Sequence, residues 1–82
     1  MLQIGHLYKH KQLDSLVQVT EQQGSWVEFL VKNNSEIRYL EARIFEQAYM
    51  YFRDGDPITI SLETARTLLR LQGILVPQEF SK

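Results

Sequence analysis

The sequence predicts a small α+β domain, in which four or five short antiparallel strands form a sheet or partial barrel capped by a C-terminal α-helix. Three observations carry this. Residues 16–32 alternate apolar and polar side chains on both sides of a Gln-Gln-Gly turn, which is the pattern of a hairpin. Residues 48–60 place β-favouring aromatics before an Asp-Gly pair. Residues 61–73 begin on a capping serine and end on a glycine, with leucines at helical spacing between them.

The first segment, QIGHLYKHK (3–11), has no 3.6-residue stripe and suits an edge strand, with Leu7 inward and His6, Tyr8 and His10 on the opposite face. In the hairpin, Val17 and Val19 alternate with Gln18 and Thr20 on one arm, and Val27, Phe29 and Val31 alternate with Glu28 and Lys32 on the other. Trp26 and Leu30 occupy the second face of that arm, which makes it apolar on both sides and therefore central. Asn33-Asn34-Ser35 is a turn.

The next stretch, EIRYLEARIFEQAYMYF, admits two readings. As one long helix over 36–52 it sets Ile37, Leu40, Ile44, Ala48, Tyr51 and Phe52 on one broad face, with a second helix over 62–72. As strand, short helix and strand, it gives Ile37–Leu40, a helical turn within 42–47, and Ala48–Phe52. The long helix puts Glu41 amid its apolar face and wastes the Asp54-Gly55 signal, so the strand reading is preferred, with Pro57–Ile60 as a return strand.

In the last segment Ser61 is the N-cap and Glu63 lies in the first turn, where the helix dipole favours an anion. Leu62, Ala65, Leu68 and Leu69 form the inward face, and Gly73 with Ile74 matches a Schellman ending. Residues 78–82 read as a loose tail, and the whole chain as one domain.

Eighty-two residues bury only roughly 60–65% of the unfolded surface, so stability is marginal and a partner subunit helps. Nine basic against ten acidic side chains weigh against strong non-specific binding to polyanions. The absence of cysteine excludes disulfides and thiolate chemistry, and no apolar run approaches the length of a membrane span. A soluble, cytoplasmic protein without membrane contact is the expectation.

Catalytic constellations are not evident. His6 and His10 stand four apart, but on a strand their rings lie roughly 13 Å apart, too far to share one metal ion. Glu41 is the carboxylate nearest an apolar face, with Arg38 or Arg43 as its partner, and one acid makes no dyad. No glycine-rich phosphate loop or calcium loop is present, so no enzyme activity, cofactor or metal is expected.

Two resemblances follow from particular residues. Gly5-x-x-Tyr8, the hairpin with Trp26 and the aromatics near residue 50 resemble the small SH3-like barrels of bacterial accessory proteins over the first fifty residues, which implies fold but not function. SLETAR with Arg70 resembles the recognition helix of phage excisionases, which implies DNA contact by Arg66 and Arg70. A second basic group, Lys9, Lys11, Arg38 and Arg43 near Tyr8 and Tyr39, suits single-stranded nucleic acid if its strands are neighbours. Against these stand local explanations: Glu63 lies three residues before Arg66, and Arg70 lies in the last turn.

Nine aromatics exceed what so small a core easily buries. Tyr8, Trp26, Tyr39, Tyr49, Met50 and Tyr51 are therefore the candidate protein-binding residues, with the strand at 2–10 as an edge that can pair with a partner strand or with its own copy. The favoured reading is a non-enzymatic regulatory adaptor of bacterial or mobile-element type, binding another protein and able to form a homodimer. The second is a nucleic-acid-binding accessory protein.

Overall fold

The computed structural model describes residues 2–55, 57–58 and 61–80. Five antiparallel strands, β1 (Leu7–His10), β2 (Leu16–Gln23), β3 (Trp26–Val31), β4 (Glu36–Glu41) and β5 (Tyr49–Arg53), form one open sheet in the order β4-β3-β2-β1-β5. A short helix, α1 (Ala42–Ala48), links β4 to β5, and α2 (Leu62–Leu71) follows. The expected α+β class, open sheet and C-terminal helix are all present. The 36–52 stretch is strand, helix and strand, not one long helix.

Alternation divides the sheet into two faces. Val17, Val19, Val27 and Phe29 point to one face, where they pack with Tyr8 around Phe45 of α1. Phe45 is fully buried and meets Tyr8, Phe29 and Tyr49 with ring centroids 5.4, 5.1 and 4.6 Å apart. A helix of only 7 residues without a side-chain N-cap cannot stand alone, and this aromatic anchor holds it. On the other face Leu30 and Ile37 pack against Leu69 of α2, with Leu62, Ala65, Ile58 and Val76 at the margin.

Several expectations are corrected. The strand near residue 8 is not an edge: β1 lies between β2 and β5, because β5 returns alongside it. Among the described residues the edges are β4 and β5. Pro57 and Ile58 form no return strand, and Thr59 and Ile60 lie outside the described residues. Ile58 instead packs on the α2 face beside Leu30, Ile37 and Leu69, and Gly55 sits so close to the Gly5 carbonyl oxygen and the Gln18 amide that a Cβ would collide with both. Leu68 is not on the inward face of α2 but 55% exposed, and Arg66 takes the inward place. The tail is not all loose: Gln78–Phe80 forms a 3-10 turn, and the Phe80 ring lies 4.9 Å from that of Tyr39. Ser81 and Lys82 lie outside the described residues.

The turns and caps follow local chemistry. Gly24, with φ of 58°, opens the two-residue loop of the β2–β3 hairpin. Asn34 accepts the Glu36 N–H on its side chain at 3.1 Å, while Ser35 carries the positive φ. The Ser61 hydroxyl accepts the Thr64 N–H at 3.2 Å. The Gly73 and Ile74 N–H groups return to Arg70 and Leu69 carbonyls, completing the Schellman ending. Two bulges interrupt the ladders: one at Thr20 in β2, and one in β5, where Leu7 faces Arg53, Tyr8 faces Tyr51 and Phe52 is the extra residue. No helix among the described residues is long and apolar enough to cross a membrane.

Replacing Gly55 by alanine forces apart backbone that nothing flexible can relieve. Thermal or urea unfolding of Gly55→Ala is expected to show a loss of about 1–3 kcal/mol.

Candidate functional site

The least expected group is a carboxylate at the centre of the sheet. Glu28 of β3 is fully buried, on the face covered by α2. Arg66 grips it with two bonds, Nε to Oε2 at 2.8 Å and Nη2 to Oε1 at 2.6 Å. The Thr20 hydroxyl donates to Oε1 and the Tyr39 hydroxyl to Oε2, both at 2.7 Å. Burial alone disfavours this charge, but the bonds from Arg66, Thr20 and Tyr39 and the Arg66 charge outweigh it and hold the Glu28 carboxyl below its ordinary value. Burial and the Glu28 carboxylate together push the Tyr39 hydroxyl well above its own. Glu41, the sequence candidate for a buried acid, is exposed.

Arg66 therefore pairs not with Glu63 but with Glu28, and through Nη2 with Glu21 at 3.3 Å. Its outer side borders a cleft of about 280 Å³ that also presents Glu21, Glu63, Glu79 and Arg70. Arg70 donates to the Phe80 carbonyl at 3.3 Å. Both arginines of the SLETAR helix are thus bonded within the chain. The second basic group is not assembled either. Lys9 stands on β1 and Arg38 on β4, with two strands between them, and register puts Lys9 on the α2 face and Arg38 on the α1 face. Lys11 follows β1, and Arg43 lies on α1.

Four of the six candidate protein-binding residues do come together, at the opposite end of the sheet. β5 pairs with β1 alone among the described residues, and Met50, Tyr51 and Phe52 are 55, 54 and 47% exposed on it. Tyr49 stacks on Phe45, with an interplanar angle of 14°, and burial raises its hydroxyl pKa. Tyr51 meets Tyr8 edge-on at 6.0 Å and donates to Asp54 at 2.7 Å, and that bond raises its hydroxyl pKa. His6 lies 3.3 Å from the same Asp54 oxygen. Beside this strand, on the α1 face, opens a cleft of about 420 Å³ bordered by Leu2, His6, Tyr8, Glu46, Tyr49 and Tyr51. Tyr8 is a buried floor here, not an exposed contact residue.

Trp26 and Tyr39 do not join this group. Trp26 is half-buried at the turn end of β3, and Tyr39 is spent on Glu28 and Phe80. Phe52, absent from the sequence candidates, belongs to the site: Lys9 Nζ stands 5.2 Å over its ring. Its place beside Met50 in an aromatic strand was the available signal. His6 and His10 are apart in role as well as space, since His10 Nδ1 accepts the Gln12 and Leu13 N–H groups, both at 3.0 Å.

No protein-family model matches the sequence, and neither the curated proteins nor the solved structures give a significant match.

Removing Arg66 strands the Glu28 charge. Arg66→Ala is expected to cost about 3–5 kcal/mol in denaturant unfolding, and the double variant Arg66→Met with Glu28→Leu substantially less. Because the folded Glu28 pKa lies below the unfolded one, its contribution is complete above the ordinary 4.5 and drains away as pH falls through the lowered value. Acid unfolding followed by circular dichroism is expected to show this loss in the native chain and a flatter profile in Glu28→Gln.

Proposed function

We propose that this protein is a non-enzymatic interaction module that takes an extended segment of a partner protein along β5, with an apolar side chain of that segment entering the neighbouring cleft. The observation that carries the reading is an edge strand on which Met50, Tyr51 and Phe52 are all open to solvent. Soluble proteins ordinarily blunt such an edge with charge or cover it. An apolar edge with no strand beside it among the described residues suits strand addition, in which backbone hydrogen bonds supply affinity and side-chain pockets supply specificity.

The arrangement has the other marks of a recognition site. The Tyr8 and Tyr49 rings that border the cleft are packed on the buried Phe45 ring beneath, so little order has to be gained on binding. The cleft volume, about 420 Å³, admits one or two large side chains. Glu46 on its rim and the Asp54 carboxylate near Tyr51 favour a segment with a basic residue beside the apolar one.

A random-peptide library panned against the immobilised chain tests this. Extended sequences with an apolar anchor and a basic neighbour are the expected selection. Met50→Glu with Tyr51→Ala is expected to weaken the selected peptides at least about tenfold, as loss of an interface anchor does, while Arg70→Ala leaves them unchanged. Failure to select any sequence sensitive to β5, or salt-steep binding of short oligonucleotides in fluorescence anisotropy, overturns the reading.

A further inference from the structure

The other edge of the sheet has a different character. β4 runs beside β3 without a bulge from Glu36 to Glu41 and pairs with nothing else among the described residues. At its start a groove of about 430 Å³ opens between the strand and α2, with Ile37, Ala65, Leu68 and Leu69 as its apolar lining. Leu68 stands at the mouth of this groove 55% exposed, and Leu71 lies further out on α2, exposed as well. We infer that β4 is a self-association edge: two copies of this chain join antiparallel through β4 about a two-fold axis at Ile37, setting Glu36 of each opposite Arg38 of the other and Leu68 of each against the groove of the other.

Charge complementarity favours a second copy over any other strand. Glu36 and Arg38 lie on the same face of β4 and already form an ion pair within the strand. In an antiparallel pair the positions of facing residues sum to a constant. With Ile37 on the axis, Glu36 must face Arg38 twice over, so the four charges alternate in sign. Centring on Arg38 sets two guanidiniums opposite each other, and centring on Tyr39 sets Ile37 against Glu41. Both alternatives are disfavoured, by like charge and by an apolar residue facing a carboxylate. The short segment Glu36-Ile37-Arg38 is thus its own complement in one register.

The same axis places the helices correctly. A two-fold normal to the sheet keeps equivalent faces together, so both α2 helices lie on one side and their grooves face each other across the junction. A three-residue ladder falls far short of the roughly 800 Å² per partner of a stable interface. The exposed leucines of α2 have to supply the remainder, and Leu68 is the one nearest the axis. The inference is independent of the β5 reading, because it uses the opposite edge of the sheet.

Sedimentation equilibrium and light scattering of the full chain over a concentration series test it. The expected species has twice the 9.7 kDa chain mass. Leu68→Asp, on an exposed side chain, is expected to give a folded monomer by circular dichroism. Glu36→Arg is expected to weaken association by at least about tenfold, and Glu36→Arg combined with Arg38→Glu to restore it, since the swap regenerates the alternation. A monomer at every concentration overturns the inference. So does a dimer that survives Leu68→Asp and Glu36→Arg, or one abolished by Tyr51→Lys on β5.

Discussion

The architecture hangs on one ion pair. A carboxylate fully removed from water on a sheet face is costly unless every lone pair is occupied, and Glu28 achieves this with one guanidinium and two hydroxyls. Each partner comes from a different element, so the requirement fixes β2, β4 and α2 around β3 together. Arg66 can serve Glu28 only if α2 presents that side chain inward. This sets the rotation of the helix, directs Leu69 onto Leu30 and Ile37, and leaves Leu68 outside. Well-packed apolar residues in the same space would be comparably stable. What the pair contributes is a single orientation where an amphipathic helix alone would allow several.

The two faces of the sheet are accordingly built on different principles. The α2 face is organised by directed bonds, and the α1 face by ring packing around Phe45. The second arrangement explains how β5 stays ordered while exposed. Its Tyr49 is held from beneath by Phe45 and its Tyr51 from the side by Tyr8 and Asp54, so Met50 and Phe52 are displayed on a firm backing. Rigid aromatic anchors of this kind bind with little entropic loss.

Local signals made much of the fold legible. Alternation located β2 and β3, the capping serine and terminal glycine bounded α2, and the misfit of Glu41 in a long helix separated β4, α1 and β5. Long-range placement was not legible. The burial of Glu28 and Gln18 was not legible, because alternation marks them only as the polar residues between valines and cannot reveal that a later helix covers their face and supplies a partner. Leu68 and Arg66 both fall within helical reach of the inward stripe, and only the buried carboxylate decides between them. The placement of β1 inside the sheet depends on the return of β5, a contact between segments far apart along the chain, from His10↔Tyr49 to Leu7↔Arg53. Of the site, the aromatic cluster of Tyr49, Met50 and Tyr51 was visible as composition. Its separation from Trp26 and Tyr39 required the strand order.

The extra residue at Phe52 bears on how such a surface survives in a crowded cell. Beyond Tyr51 the spacing of backbone donors and acceptors along β5 is broken, so the edge offers a regular template only from Tyr49 to Tyr51. Three residues give too little cohesion for copies to stack indefinitely into fibrils, while leaving room for the short partner segment proposed above. The bulge thus works as a length limit on an exposed aromatic edge, restraining it from stacking with its own copies.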